Sequence, residues 1–503
     1  RGGPLPLSSA QQRLWVLDRL SPGSTTYLMT AALRLRGPLA PGALRGALDA
    51  LVTRHEVLRT RYEVVDGDPV QIVDAPAPVD LVEEDLTGLA PADRAHRLAV
   101  LGTSGRRPVD LAEGPVFRAV LARCSAEEHA LFLTVHHIAA DGRSEELMVR
   151  ELMADYRRLS AGEEYPEPAP PALQYADFAV WQRARLTEEK LRAGLDHWRG
   201  RLAGLAPLEL PTDRPRPERQ TFEGAGYGFD IDRELLERLT ALGKAHGATV
   251  HMVLLAAFQV VLSRFAGQRD FAVGSPVAGR PEPELEGLIG MFVNVLALRA
   301  RLDGDPTFTE LVGRTRETCL EAYAHQELPF AQLVSELNVE RDVTRSPVFQ
   351  AVLAIQNYAS AADTATTDGE LPLNVEPFGL HAAGTRFDLE LFLMEGEGGL
   401  RGAFNYNTDL FDESSIARIA AHLDRFLHAA ADRPDEPVSA HDGLDPAERH
   451  RLLAEWNDTA VEDSGASEAG RAETLTALIA AQIARTPDAV AVEFGAGSLT
   501  FAE

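Results

Sequence analysis

The residues of this chain best suited to do chemistry are two adjacent histidines, His136 and His137, followed closely by Asp141 and Gly142. They come directly after an apolar run, LFLTV at residues 131–135, of the kind that forms a buried strand. Imidazole titrates near neutral pH, so it can take a proton from an attacking nucleophile. Side chains alternate along a strand, so the two rings are expected on opposite faces and in different roles. The pattern predicts an active site where a buried strand gives way to a loop.

Three interpretations of this motif compete. A metal site is disfavoured, because neighbouring strand residues cannot both reach one ion and neither cysteine lies nearby. A structural strand end is the second interpretation, since a buried histidine is usually a hydrogen-bonded core residue. Two histidines with Asp-Gly favour the third, a catalytic site. Asp141 would then either hold the loop through an ion pair or orient the ring, and Gly142 allows backbone conformations closed to other residues.

A helix is expected directly after the motif, with Ser144 as its capping residue. Its apolar positions, from Leu147 to Leu159, keep to one face. The helix N-terminus would add positive potential beside a developing oxyanion, while the apolar face fits a plain packing helix equally well.

Composition restricts the classes of function. The chain is 45% hydrophobic and 25% charged, a composition typical of a globular protein. Its length of 503 residues suggests two to four domains. A net charge of −27 argues against a nucleic-acid partner, because phosphate binding needs a basic surface. Two cysteines, Cys124 and Cys319, and the lack of an apolar leader indicate a cytoplasmic protein. The apolar stretch 250–265 is too short and too polar to span a bilayer, so no membrane partner is expected.

The order of elements predicts an α/β architecture. In the first half, residues 44–62 are expected to form a helix that leads into a strand, and a Pro-rich interval at 165–171 marks a boundary. The second half alternates helices, predicted at 234–246, 250–266, 308–324 and 413–431, with strands, predicted at 270–276, 291–301, 348–358, 387–394 and 402–406. Small and polar residues at 463–470 indicate a flexible linker, and a further unit is expected from about residue 473.

Seven segments resemble, in the same order along the chain, the signature motifs of one family, the condensation domains of nonribosomal peptide synthetases. They are SSAQQRLW (8–15), RHEVLRTRY (54–62), HHIAADGRS (136–144), YADFAVW (175–181), IGMFVN (289–294), HQELPF (325–330) and RDVTRSP (341–347). Residues 475–503 resemble the beginning of an adenylation domain. The resemblance implies a V-shaped pseudo-dimer of two chloramphenicol-acetyltransferase-like α/β subdomains with a central tunnel. The expected divisions are subdomains at 1–172 and 173–445, a linker at 446–472 and a truncated adenylation start at 473–503.

The resemblance also implies a reaction and its partners. Upstream donor and downstream acceptor carrier proteins would each deliver a thioester on a phosphopantetheine arm, and the acceptor α-amine would attack the donor thioester. The chain itself is expected to bind no cofactor and no metal, to be joined to an adenylation domain, and to be monomeric. The alternatives are a coenzyme A acyltransferase, a domain that modifies a carrier-bound residue, for example by dehydration, and a non-catalytic domain that recruits a partner.

The resemblance assigns roles to residues of the motif. His137 is the catalytic histidine, as a base or as a positioning group, while His136 packs or hydrogen-bonds behind it. The backbone N–H of Gly142 is a candidate oxyanion donor. Asp141 is expected to be structural, in an ion pair with either Arg59 or Arg280.

Four residues are candidates for the substrate tunnel: Arg143, Ser144, Asn294 and Trp15. Arg143 departs from the family pattern, which commonly has an aromatic residue there. The arginine either alters the pocket or faces solvent, and it leaves open whether the donor residue has L or D configuration. The sequence does not identify the amino acids that are joined.

Overall fold

The structure is a computed structural model that describes residues 3–104, 107–163, 171–337, 342–356, 373–378, 384–396, 398–459, 475–495 and 497–503. Contacts between Cα atoms divide the chain into two compact units, Arg1–Gly443 and Leu444–Glu503. Residues 165–170 of the predicted Pro-rich boundary, residues 460–472 of the predicted linker and Arg341 of the seventh motif lie outside the described residues.

The first half of the larger unit contains a three-stranded sheet, four strands of a five-stranded sheet, and the helices around them. In chain order its elements are β1 (Leu5–Pro6), α1 (Ser9–Leu20), β2 (Leu28–Arg36), α2 (Pro41–Arg54), a 3₁₀ turn (Glu56–Arg59), β3 (Thr60–Val65), β4 (Asp68–Val73), β5 (Leu81–Asp85), α3 (Pro91–Ser104), β6 (Phe117–Arg123), β7 (Glu128–His136) and α4 (Gly142–Ser160). The predicted helix and strand at 44–62 are confirmed as α2 followed by β3.

Strand β7 lies in the interior of its sheet, where it pairs antiparallel with β2 on one side and β6 on the other. Leu131, Leu133 and Val135 face the main core of this half, whereas Phe132 packs with α3 on the opposite face. The predicted alternation along this strand is therefore confirmed. Because both faces are covered, the strand carries the histidine motif into the protein interior.

The second half contains a larger mixed sheet. In chain order its elements are α5 (Tyr175–Arg185), α6 (Glu188–Leu202), β8 (Gly224–Asp232), α7 (Arg233–Ala245), α8 (Val250–Ala266), β9 (Asp270–Val277), a 3₁₀ turn (Pro283–Leu285), β10 (Asn294–Arg301), α9 (Phe308–Ala324), α10 (Phe330–Glu336), β11 (Ala351–Gln356), β12 (Asn374–Pro377), β13 (Leu389–Gly396), β14 (Gly399–Asn407), α11 (Glu413–Asp432) and a 3₁₀ turn (Val438–Ala440). The strand order is β10-β9-β11-β13-β14-β8.

Helices α8 and α9 match the predicted bounds to the residue, because each has a clear start signal. Thr249 and Thr307 each cap a helix by accepting a hydrogen bond from the backbone of the third residue, Met252 and Glu310. Residues 252–262 of α8 are all buried, as expected of a helix that is apolar on every side.

Two segments of the second half belong to the core of the first. Strand β12 extends the first sheet by pairing antiparallel with β2. Leu285, Leu288, Met291 and Phe292 pack into the first core together with Tyr175 of α5. This explains why β10 begins at Asn294 and not at the predicted residue 291: the preceding residues are held by the first half instead of by the sheet. The two halves are therefore interlocked.

The smaller unit contains α12 (Pro446–His450), a π-helical turn (Arg451–Glu455), α13 (Leu475–Arg485), β15 (Val490–Phe494) and β16 (Gly497–Thr500). Strands β15 and β16 form an antiparallel hairpin.

Across the described ranges of both units, no single helix is long and apolar enough to cross a membrane. The pair α7 and α8 reaches the required length and composition together, but the two helices are bent by 104°.

Candidate active site

The ring of His137 is oriented by a backbone carbonyl. The residue follows the last residue of β7, and its backbone N–H donates to Tyr27 O at 2.7 Å. Its Nδ1 lies 2.6 Å from Ala140 O. A carbonyl only accepts, so Nδ1 carries the proton and Nε2 is left as the acceptor. The sequence left open whether Asp141 orients this ring, and the structure assigns that contact to Ala140.

His136 has the opposite tautomer. Its Nδ1 accepts a hydrogen bond from Ile138 N at 3.1 Å, so a neutral ring carries its proton on Nε2. The side chain is buried, and burial lowers the pKa of His136 to about 4. The supporting role expected for His136 agrees with this hydrogen bond to the turn that follows the strand.

Burial also governs the charge of His137. Burial, followed by the positive charge of Arg386, lowers the pKa of His137 to about 3, against the opposing effects of the Ala140 hydrogen bond and Asp141. The imidazole is therefore neutral at pH 7, with the lone pair of Nε2 available. As a base it is far weaker than a free imidazole.

Asp141 forms a buried ion pair with Arg280. The arginine reaches the carboxylate through two hydrogen bonds, Nη1 to Oδ2 at 2.8 Å and Nη2 to Oδ1 at 3.0 Å. The side chains are 0% and 1% exposed. Phe292 N also donates to Oδ2 at 3.1 Å, and the guanidinium lies 4.1 Å from the centre of the Phe292 ring. The contact joins the two halves of the larger unit beside His137.

Of the two arginines proposed as partners of Asp141, the structure selects Arg280 and excludes Arg59. The Arg59 side chain instead donates to Val52 O, at 3.3 Å, and to Asp74 O. Arg59 thus links the end of α2 to the residue that follows β4, and it has no part in the histidine site.

The expected roles of Ser144 are both wrong. The residue that caps α4 is Asp141, whose Oδ1 accepts from Ser144 N at 2.9 Å. Ser144 is fully buried, with Oγ 2.7 Å from Asp141 Oδ1 and 2.9 Å from Gly290 O, so it does not line a tunnel. An aspartate competes well with serine as a cap, and here its second oxygen is free to bind Arg280.

A cavity of about 250 Å³ has Arg280 among its lining residues. Its walls come from α1, α5, residues 278–281, residues 291–294 and residues 326–331. Asn294 is in the wall, where its Nδ2 donates to Gln326 O and Leu328 O at 2.9 and 2.7 Å and its Oδ1 accepts from Phe330 N at 3.1 Å. Asn294 thus lies in the wall of this cavity, and its amide holds the turn before α10. Its place in a substrate tunnel stays a prediction.

Neither Trp15 nor Arg143 lines this cavity. Trp15 is half-buried against the first core, and Arg19 lies 5.9 Å from its ring centre. Arg143 pairs with Glu146 one turn further along α4, and its side chain is 29% exposed. Because Arg143 is partly buried and pairs with a buried carboxylate, the choice between its two interpretations stays a prediction.

Gly142 is the first residue of α4, where backbone N–H groups have no partner within the helix. It follows Asp141 directly and is half-buried. Its N–H therefore remains a candidate for an oxyanion, as the sequence suggested.

Sequence reasoning missed the contribution of Tyr27 and Arg386 to the site. Tyr27 O receives the backbone N–H of His137, and Arg386 acts on the charge of His137 from the second half. Neither residue carries a local pattern that points to a site. Only the folded arrangement brings them to the histidine.

Comparison with known proteins identifies the family of this site. The model of the condensation domain matches residues 3–453. The chain belongs to the condensation-domain family. One of the linear gramicidin synthase proteins of Brevibacillus parabrevis is 42% identical over 510 residues, which cover 100% of this chain but 10% of that relative. The chain thus spans about a tenth of the length of this relative.

Solved structures share the fold of this chain. The X-domain from teicoplanin biosynthesis is 32% identical with a TM-score of 0.78, over 88% of this chain and 98% of that one. The four-domain nonribosomal peptide synthetase holo-AB3403 is 21% identical with a TM-score of 0.81, over 100% of this chain and 38% of that one, and shows the fold alone. The predicted α/β fold with two chloramphenicol-acetyltransferase-like subdomains is confirmed.

Proposed function

We propose that this condensation domain forms a peptide bond between two carrier-bound substrates. The acceptor α-amine attacks the donor thioester, a C–N bond forms, and the C–S bond of the donor breaks. The observation that carries the proposal is the fixed tautomer of His137, with Nδ1–H bound to Ala140 O and Nε2 left to accept a hydrogen bond from the amine.

His137 acts mainly by positioning. An α-amine has a pKa of about 7.7–8, so a useful fraction is already neutral at cytoplasmic pH. An imidazole with a pKa of about 3 is too weakly basic to hold a proton taken from a neutral amine. It orients the amine through Nε2, accepts the proton only as the tetrahedral adduct forms, and passes it to the departing thiolate. Positioning of this kind can lower a barrier by about 7–11 kcal/mol.

Gly142 supplies the oxyanion donor in this proposal. The first-turn amides of α4 point away from the helix and carry its positive dipole end. Asp141 holds that turn through Ser144 N and is fixed in turn by Arg280. The ion pair therefore positions the donor without touching the substrate.

The partners are two carrier proteins. The relatives are much longer than this chain, which supports the expectation of an adenylation domain and carriers in the same assembly. Phosphopantetheine arms of the carriers would present both thioesters, so the condensation domain needs no cofactor of its own. We place the reaction in the cytoplasm.

The test is intact-mass analysis of an aminoacyl-loaded acceptor carrier after mixing with a loaded donor carrier and the domain. The native chain is expected to transfer the donor acyl group to the acceptor, and His137→Ala to give little product. His428→Ala, which changes an exposed histidine, is the control. Equal product from native chain and His137→Ala would refute the role of His137. A loss of one water from the loaded substrate would instead indicate a modifying domain, and carrier binding without turnover a recruiting one.

A further inference from the structure

One polar residue interrupts the buried, apolar stretch of α8. Residues 252–262 of this helix are all buried, and Gln259 is the one among them with a polar side chain. The residue is 2% exposed. Thr315 Oγ1 of α9 donates to Gln259 Oε1 at 3.4 Å, and within the described part of the chain Gln259 Nε2 donates no hydrogen bond. A buried donor without a partner lowers stability, so packing alone does not explain this amide.

The Gln259 side chain borders a pocket of about 310 Å³ in the second subdomain. The pocket lies mainly between α6, α8, β10 and α9, and it has no described lining residue in common with the cavity beside Arg280. Part of its wall belongs to the core of this subdomain, through the buried side chains of Trp198, Ala297, Leu311 and Ala322. The amide therefore borders a space of the size that small molecules occupy, which begins at about 300 Å³.

Arginines outnumber carboxylates in the wall of this pocket. The charged lining residues are four arginines and three carboxylates: Arg201, Arg299, Arg301, Arg314, Asp303, Glu317 and Glu321. Arg299 binds Asp270 through Nε and Nη2, each 2.6 Å from a carboxylate oxygen, and Arg201 pairs with Glu321. Because Asp270 is not among the described lining residues, the pocket meets the guanidinium of Arg299 and not its counter-charge. On a chain with a net charge of −27, such a wall is a local exception.

The other two arginines have no ion pair with a described carboxylate. Arg314 Nη1 donates to the backbone oxygens of Arg301 and Asp303, at 3.3 and 2.9 Å, which holds α9 against the end of β10. Arg301 and Arg314 are both exposed, as are Asp303 and Glu317. The exposed residues form the open end of the pocket, whereas Gln259 and Thr315 are buried.

We propose that this pocket is a binding site for a small molecule with an oxyanion group, a carboxylate or a phosphate, which accepts a hydrogen bond from Gln259 Nε2 and is attracted by the arginines of the wall. Arginine suits such a ligand, because its planar guanidinium matches the paired oxygens of carboxylates and phosphates. Hydrogen bonds to a charged group are also stronger in a partly buried pocket than in water. His137 is not among the described lining residues, so binding here does not depend on peptide-bond formation.

Trp198 allows binding to be measured in the pocket itself. The chain has four tryptophans, and Trp198 is the one among the described lining residues. In protein labelled with 5-fluorotryptophan, the Trp198 signal is assigned by its loss in Trp198→Phe. We expect sodium phosphate or sodium acetate to shift this ¹⁹F signal with a saturable dependence on concentration. Sodium chloride at equal ionic strength is expected to leave it in place, and the other three signals are internal controls.

Variants of the wall locate the ligand. Gln259→Leu is expected to weaken binding by about tenfold or more. It is also expected to keep or raise the thermal midpoint of the ligand-free chain, because an apolar side chain of similar size replaces an unpartnered amide. Arg314→Gln is expected to weaken binding several-fold. Arg316→Gln on the same helix is the matched control, since Arg316 Nε donates to Gly247 O and the residue is not among the described lining residues.

The outcomes decide between a binding site and a water-filled space. An equal response to chloride, or a shift that grows without saturation, would mean that the pocket takes up ions adventitiously and would overturn the proposal. Saturable binding that survives both Gln259→Leu and Arg314→Gln would place the ligand elsewhere and contradict it as well. A lower thermal midpoint of Gln259→Leu with unchanged binding would assign the amide to structure alone. Saturation by phosphate alone, or by acetate alone, would support the site and identify the group that it takes.

Discussion

At the scale of single residues, one carbonyl sets what His137 can do. Ala140 O fixes the proton on Nδ1 and directs the lone pair of Nε2 away from the turn. Burial then makes the ring a weak base. The same histidine in water would be a better base but a poorly oriented one. A well-oriented but weakly basic ring therefore contributes more by orienting the amine than by deprotonating it.

The variant His137→Asn distinguishes a role of the ring in orienting the amine from a role in folding. The asparagine amide can replace Nδ1–H as donor to Ala140 O, but it has no atom at the position of Nε2. We expect condensation to slow by roughly 10²-fold or more, with little change in the unfolding midpoint. Rates come from intact-mass time courses and midpoints from circular dichroism. A variant that unfolds early would show that the ring is needed for folding, and native rates would exclude a role for Nε2.

Asp141→Asn tests the buried ion pair. It leaves the charge of Arg280 buried without a counter-charge, so we expect a loss of about 3–5 kcal/mol in the free energy of unfolding. Glu376→Gln, which breaks the exposed pair with Arg36, is the control and is expected to cost less than about 1 kcal/mol. Urea titrations measure both. Adding Arg280→Met to Asp141→Asn should recover part of the loss, and no recovery would mean that the carboxylate acts through Ser144 and Phe292 instead.

At the scale of elements, Gly290 approaches Tyr175 closely, so two segments of the second half pack against each other in the core of the first. A Cβ on Gly290 would lie 1.8 Å from Tyr175 Cδ2, whereas one on Gly287 would meet nothing within 4 Å. We therefore expect Gly290→Ala to destabilise the domain, by about 1–3 kcal/mol if the segment shifts, and Gly287→Ala to be nearly neutral. Thermal unfolding compares the two. Equal midpoints would show that segment 285–293 adapts without cost.

The sequence predicted most elements of the second half, since helices such as α8 and α9 have caps and periodic apolar faces of their own. It also located His137 and Asp141 through a compact motif. The prediction failed where residues far apart in sequence decide the structure. Strand β10 begins later than predicted because the residues before it pack into the core of the first half. In the same way, the sequence predicted Ser144 as the helix cap. Arg280, which binds the carboxylate of the true cap Asp141, lies 139 residues away in the chain.

At the scale of the whole molecule, the site exists only while both subdomains are together. The first contributes the two histidines, Asp141 and Tyr27, and the second contributes Arg280 and Arg386. Residues around this junction are buried, so the histidines stay neutral in the folded chain. Once the chain unfolds, both rings return to an ordinary pKa near 6.5.

That difference makes the folded domain sensitive to acid. Between pH 6.5 and about 4 the unfolded chain binds a proton at His136 that the folded chain does not, so the free energy of unfolding falls as the pH is lowered. One such histidine contributes up to about 1.4 kcal/mol per pH unit. His136→Asn, whose Oδ1 can still accept from Ile138 N, should remove that contribution and flatten the dependence on pH. Urea titrations from pH 7 to 4.5 measure it, with His428→Asn as the exposed control, and parallel curves for native chain and His136→Asn would contradict the assignment.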